Sequence, residues 1–516
     1  MRRCDSFAGR LTVLCMSNMG LQALGFLYRI FLSRLAGAEG LGVYRLAYSA
    51  YIVLHAACLS GVTMACTRLS AEWSAQGRPG AVRVLVRRAF QTFLCFFLCG
   101  ASVLLLFRDL IAEHVLGDGR TAAAMPVMLA CIGLTGIENV FKSTMVGLNR
   151  VDNAAVSELT EQVVRIGATL ALLYWNENGD LGWIAVLIFA GMTVSECVSA
   201  FLMTRMYCGL RLPPAAPPPP GARAEFLSIV LPVSASALLS NGIASAGAVV
   251  LPMRLTASGL TRADAVAALG VVSGIASPIM LLPIALLSSL CTVAMPEASR
   301  YAALRDPARL RRFTGKTVFA AGVVGIPATA LLIPLASAIA RLFFYRAVPP
   351  LYFWLIGVSC ILCYYQMVTG CLLNGIGRQQ FAVLTALSAE ALQLALVWAL
   401  AGRPHLRVYG YLIAQCIAPA CAALAGAARL VSCGALPLAP GRLLGVPLVC
   451  GAAVFLWTRV FYYVFVGWLG GQWPGLVCAV LSALLLYLLV LRLFGVNVRK
   501  YLSVPGRAPA YLTLFY

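Results

Sequence analysis

The chain has 516 residues, 61% of them hydrophobic and 11% charged, with a mean hydropathy of +0.89. Soluble domains carry about a quarter charged residues, so a soluble fold is excluded; the repeated apolar runs of about 20 residues, each able to cross a ~30 Å hydrocarbon core, mark an all-α polytopic membrane protein. The net charge of +21 excludes little by itself: it fits cytoplasmic loops facing anionic lipid, and no nucleic-acid partner is expected.

About fourteen transmembrane helices are predicted. They lie at 11–33, 42–66, 89–107, 125–148, 154–175, 182–206, 227–252, 265–293, 317–343, 350–375, 381–400, 408–432, 444–468 and 474–495. The early apolar stretch runs straight into the first span, so no cleavable signal is expected. In that span Asn18, Gln22, Gly25, Arg29 and Ser33 recur at helical spacing and form one polar stripe. Such a stripe faces protein or a water-filled cleft, because a cation in hydrocarbon costs roughly 3 kcal/mol or more. Arg29 is therefore a candidate for binding an anionic cargo, against snorkelling to the interface. Arg34 lies off the stripe, near Gly37–Gly40 where the span ends, and Arg45 opens the second span with no assigned role.

The fourth span carries Glu138 and the sixth Glu196, each in apolar surroundings, as Glu390 is in the eleventh; any of the three could take a proton or Na⁺. The fifth holds SELTEQVVR (157–165), where Glu161 and Arg165 stand one turn apart as an ion pair or gate. Prolines dominate 212–223, which reads as a semi-rigid spacer. Arg254 closes the seventh span, and Arg262 stands 228 residues beyond Arg34, so equivalent cations on both halves could share a di-anionic group. Basic residues cluster at 68–88, 300–316 and both chain ends, against the acidic turn 176–180 and the uncharged 470–475. Both termini are expected to be cytoplasmic. The 18 cysteines fall largely in apolar runs, the three histidines are scattered, and no metal site is expected.

The linker divides related halves. GLNRVDNAAVSEL (147–159) aligns with GIGRQQFAVLTAL (375–387) at offset 228, LGV at 41 with LGV at 269, and the segment 70–90 with 299–319 at 229. The organisation read from this is an N-terminal six-helix lobe (1–211), a cytoplasmic linker (212–224), a C-terminal six-helix lobe (225–435), and two further helices with a basic tail (436–516). Units with an even number of spans repeat in parallel, and the cleft between such halves is where a rocking transporter holds its substrate.

The ordered set GFLYRIFLSRLAGAEGLGVYRLAYSAY (25–51), TRLSAE (67–72), SELTEQVVR, MPEASR (295–300) and LLNGIGR (372–378) resembles the stage V sporulation protein B and polysaccharide biosynthesis proteins. These sit within the multidrug/oligosaccharidyl-lipid/polysaccharide exporter superfamily, related to lipid II flippases. The resemblance implies two six-helix lobes, often with two extra helices, and arginines that meet a lipid pyrophosphate. Gly25, Phe26 and Arg29, then Arg34, Gly37 and Ala38, fit the flippases' first-helix pattern with one residue inserted, which adds Arg34 to the candidates. In the second span Thr63 and Arg45 depart from the family's pattern, and no arginine stands in 265–293 where the flippases carry one, so Arg254 would have to substitute.

The expected function is outward translocation of an undecaprenyl-pyrophosphate-linked cell-wall or polysaccharide precursor by alternating access in the cell membrane, with spore cortex peptidoglycan synthesis as one setting. The partners are the lipid-linked oligosaccharide, the bilayer and cell-wall synthesis proteins. Substrate contacts are assigned to Asn18, Gln22, Arg29, Arg34, Arg254 and Arg262. No cofactor is expected beyond coupling to Na⁺, H⁺ or membrane potential. The alternatives are a Na⁺- or H⁺-coupled multidrug exporter and a non-transporting scaffold. An enzyme acting on lipid-linked sugars would need paired carboxylates on a large loop, and the acids here are dispersed over short loops.

Overall fold

The computed structural model describes residues 7–176, 181–210, 213, 217–219, 221–437 and 440–494. Arg2, Arg3, the acidic residues of the 176–180 turn, part of the proline-rich linker, and Arg499, Lys500 and Arg507 lie outside the described residues. The described chain is helical without strands. Its long helices are α1 (Phe7–Ala75), α2 (Val82–Leu106), α3 (Met125–Gly147), α4 (Val151–Tyr174) and α5 (Leu181–Cys208). After the linker come α6 (Ala222–Ala257), α7 (Arg262–Gly270, continued through a π turn at Val271–Ala276 and Ser277–Met280), α8 (Ile284–Ala303) and α9 (Pro307–Phe344). The last five are α10 (Pro350–Gly375), α11 (Gln379–Ala401), α12 (Val408–Ser432), α13 (Pro440–Leu469) and α14 (Gln472–Leu493).

Among the described residues, 12 helices are long and apolar enough to cross a membrane. α1 counts once although its 69 residues hold the first two expected spans, far more than the ~20 residues of one crossing. The helical path breaks at Gly37, with φ 67° and ψ 177°, a backbone state glycine enters without a Cβ clash. α4 is long enough but too charged for that group, since it carries Asp152, Glu158, Glu161 and Arg165. The span expected over 265–293 is two helices rather than one. α7 and α8 meet at Leu281–Pro283, where Pro283 supplies no amide donor to continue the ladder.

The duplication is visible in the backbone. Left-handed residues recur 228 positions apart: Gly77 and Arg305, Gly117 and Tyr345, Asn149 and Gly377. The turn bonds recur with them, Arg78 N to Trp73 O (2.9 Å) matching Asp306 N to Tyr301 O (3.4 Å). Gly147 lies so close to Thr67 and Ser70 that a Cβ would overlap the Thr67 carbonyl, and Gly375 has the same relation to Met295 and Ala298. Small residues at these crossings let helix backbones touch, as is common in membrane bundles.

The chain groups into two compact units, Leu24–Gly274 with Leu394–Val408, and Met1–Ala23 with Ile275–Gln393 and Tyr409–Tyr516. The first is built around Trp73, 1% exposed, packed with Leu69 of α1, Leu85 and Ala89 of α2, Val140 of α3 and Phe226 of α6. In the second, Phe353, Tyr364 and Leu372 of α10 are buried. There the Tyr487 hydroxyl of α14 donates to the Val323 carbonyl of α9 at 2.9 Å. Apolar side chains such as Leu98, Leu424 and Leu485 point outward, the expected surface for a chain solvated by lipid.

Candidate functional site

In the first unit, α5 packs against both α3 and α4, and their facing stripes have core spacing with charges set into them. On α3 the buried positions Cys131, Thr135 and Glu138 follow one face; on α5 Phe189, Met192, Glu196, Ser199 and Met203 do the same. On α4, Ala154, Ser157 and Thr169 are buried in phase with Glu161 and Arg165. The same periodicity that buries the apolar residues therefore carries three glutamates inward.

A carboxylate oxygen from each of Glu138, Glu161 and Glu196 lies within 4.8 Å of the other two. Two cations answer them. Arg165 Nη2 bonds Glu161 one turn before it and reaches Glu196 Oε1 on α5 at 3.1 Å. Lys142 Nζ, one turn past Glu138, meets that carboxylate at 3.1 Å and Glu158 at 3.4 Å. Ser157 completes the cluster, donating to Glu138 at 3.5 Å with its hydroxyl 2.6 Å from that of Ser199. The side chains of Glu138 and Glu196 are 1% and 4% exposed. Glu196 Oε2 and Arg165 Nε are buried without a hydrogen-bond partner.

Lys142 and Glu158, at the edge of the cluster, line a pocket of about 270 Å³ together with His55, Thr63, Thr67 and Asn139. Along the second half of α1, Tyr44, Tyr48, Tyr51 and His55 form a chain of rings with centroids 5.4–5.8 Å apart. Phe189 of α5 meets Tyr44 and Tyr51 at 5.6 and 5.7 Å.

Glu138 and Glu196 are thus not the isolated acids of the sequence reading. They share one site with Glu161 and Arg165, whereas Glu390 belongs to the second unit. Lys142, Glu158 and Ser157 were missed; Lys142 was legible, four residues after Glu138 on the same helical face.

The arginines are distributed differently. Arg29 and Arg34 are exposed on α1, as is Gln22; Asn18 lies in α1 and its side chain is outside the described residues. Arg34 lines a surface groove with Phe31, Tyr174 and Trp175, the aromatic company expected at a membrane interface. Arg45 is half-buried with its guanidinium 5.7 Å from the Tyr48 ring. Arg254 stacks on Trp398 at 4.6 Å and donates to the Trp398 carbonyl at 2.9 Å.

Arg262 lines a pocket of about 360 Å³ with Glu113 and His114. It stands beside an ion-pair knot in which Arg120 bonds Glu39 and Asp118, each at 2.7 Å. Burial alone would raise the Asp118 carboxyl, but the Arg120 bonds, with Arg262 nearby, outweigh it and hold the group below the usual carboxylate range.

The family model for polysaccharide biosynthesis proteins matches residues 9–302, more than half of the chain. Stage V sporulation protein B of Bacillus subtilis (strain 168) is 21% identical over 423 residues, covering 80% of each chain. A structure titled lipid II flippase MurJ, inward closed conformation, matches with a TM-score of 0.66 at 14% identity, over 95% of this chain and all of that one. An inward-facing multidrug resistance MATE family transporter of the MOP superfamily matches at 0.64 and 16% identity, over 81% and 98%. At these identities the solved structures show a shared fold.

Proposed function

The chain belongs to the polysaccharide biosynthesis protein family, a multi-pass membrane fold whose solved neighbours are transporters and a flippase rather than enzymes, and from that premise we propose that it moves a polyprenyl-pyrophosphate-linked cell-wall or polysaccharide precursor outward across the cell membrane. The reading is carried by two exposed arginines, Arg29 and Arg34, on a helix of an apolar bundle. Guanidinium groups bind phosphate through paired, charge-assisted bonds. Arg262 is a further anion contact in this reading, whereas Arg254 is already engaged by Trp398. Outward opening must weaken the grip on the pyrophosphate, because a site that binds both states equally shifts nothing. A membrane potential negative inside assists an outward-moving anion by about 2.3 kcal/mol per charge per 100 mV.

The match to stage V sporulation protein B supports a role in sporulation, the likeness to a lipid II flippase supports a lipid II-like cargo, and the basic residues at both chain ends go with cytoplasmic termini. In cells depleted of their own flippases, expression of this chain restores exposure of lipid II to an external probe. Membrane-inserted protein that leaves lipid II inaccessible would count against this cargo. The buried carboxylates favour one second reading, a cation-coupled exporter of drug-like molecules on the same fold. It predicts drug resistance on expression and no change in lipid II exposure.

A further inference from the structure

Two buried carboxylates (Glu138, Glu196) and one largely buried (Glu161) face two cations (Lys142, Arg165) in the first unit, which leaves one negative charge without a partner. The half-exposed Glu158 adds a further acid at the rim. An uncompensated ion in a low-dielectric interior is costly enough that the group neutralises instead, and carboxylates this close do not all ionise together. We propose that this cluster is a proton-binding site, holding one proton on Glu196 that it shares with the neighbouring glutamates.

Glu196 is the carrier because its bonding is incomplete. Oε1 takes the Arg165 bond at 3.1 Å, while Oε2 is buried with no donor among the described residues, the nearby Thr135 hydroxyl being given to the Cys131 carbonyl at 2.9 Å. Glu138 and Glu161 each have a cation one turn away on their own helix. A metal cation fits less well than a proton, since it would sit beside the Arg165 guanidinium and draw on oxygens already bonded to Arg165 and Lys142. Binding is a simple transfer: a hydronium gives up its proton, the carboxylate becomes a carboxylic acid, and water remains.

The other groups that surround the cluster are Tyr28, Tyr44, Tyr51 and His55 of α1 and Cys131 and Thr135 of α3. Protonation removes the charge that holds Glu196 to Arg165, and so weakens an ion pair that ties α4 to α5. That the proton drives translocation rests on the function proposed above; that the cluster holds a proton does not.

Infrared difference spectroscopy on the purified full chain reads the proton without reference to transport. At neutral pH the wild type is expected to show a buried carboxylic acid C=O band that shifts in D₂O and disappears at alkaline pH. Glu196→Gln should remove that band, while Glu297→Gln, at an exposed surface pair, should keep it. The alkaline titration of the wild type stands even if Glu196→Gln fails to fold. Absence of the band at neutral pH, or its survival in a folded Glu196→Gln protein, overturns the assignment. So does its loss when sodium chloride replaces choline chloride at constant pH, because sodium would then be the bound cation. Lipid II exposure that fails while the band titrates as described refutes the cargo and leaves the proton site standing.

Discussion

Replacing Arg165 by Met tests the electrostatics of the first unit at one atom. Its Nη2 bonds Glu161 and Glu196 from two different helices, and both carboxylates are largely buried, with side-chain exposures of 12% and 4%. Met retains most of the stem but leaves two acids facing each other with Glu138 inside the same 4.8 Å cluster. Removing one partner of a buried pair costs about 3–5 kcal/mol, because the other charge stays buried. At 1.4 kcal/mol per factor of ten, that lowers the folding equilibrium constant by more than about a hundredfold. Equilibrium unfolding in mixed micelles, followed by circular dichroism, measures the loss. Adding Glu161→Gln to Arg165→Met is expected to recover most of it, since the carboxylate left without its cation is gone. A loss below about 1 kcal/mol, the range of exposed pairs, or no recovery in the double variant, would refute the reasoning.

Other expectations follow from the same contacts. Asp118 is held below the usual carboxylate range by Arg120, so its contribution is complete above the unfolded value of about 3.9 and lost as pH falls through the lower folded value. Asp118→Asn should therefore destabilise by about 1 kcal/mol at neutral pH, and the melting temperatures of variant and wild type should converge in acid. Gly147→Val places a side chain on the Thr67 carbonyl and should cost about 1–3 kcal/mol by overpacking, measured by the same unfolding assay; an equally stable variant would mean that α1 and α3 are not in contact there. Charge reversal at Arg29 and Arg34 together should abolish lipid II exposure while leaving the unfolding midpoint within experimental error, since both side chains are exposed. Full activity in that variant would remove them from the substrate site.

Much of the fold was legible because lipid imposes so simple a rule: about twenty apolar residues per crossing, repeated. The offset of 228 read from Gly147 and Gly375 is the offset of the left-handed turns at Asn149 and Gly377. The span over 265–293 was misjudged because hydropathy does not register the missing donor of Pro283, which ends one helix and starts another. In the candidate site, Glu161 and Arg165 could be paired from their spacing on one helix. The gathering of Glu138 and Glu196 around them could not, since it depends on the rotation of three helices about their axes, and a single sequence encodes that only in the phase of each buried stripe. Lys142 stood in plain phase with Glu138. Arg29 was drawn from the polar stripe of its helix and Arg34 from a family motif; both are exposed on α1.

The most direct test of outward translocation uses the purified chain in vesicles loaded with a fluorescent polyprenyl-pyrophosphate saccharide and a membrane-impermeant quencher outside. The expected result is quenching of both leaflets' probe in vesicles containing the wild type, with only the outer leaflet quenched when Arg29 and Arg34 are reversed in charge. Protection of the inner-leaflet probe by correctly inserted wild-type protein, with and without a pH gradient or membrane potential, would contradict it.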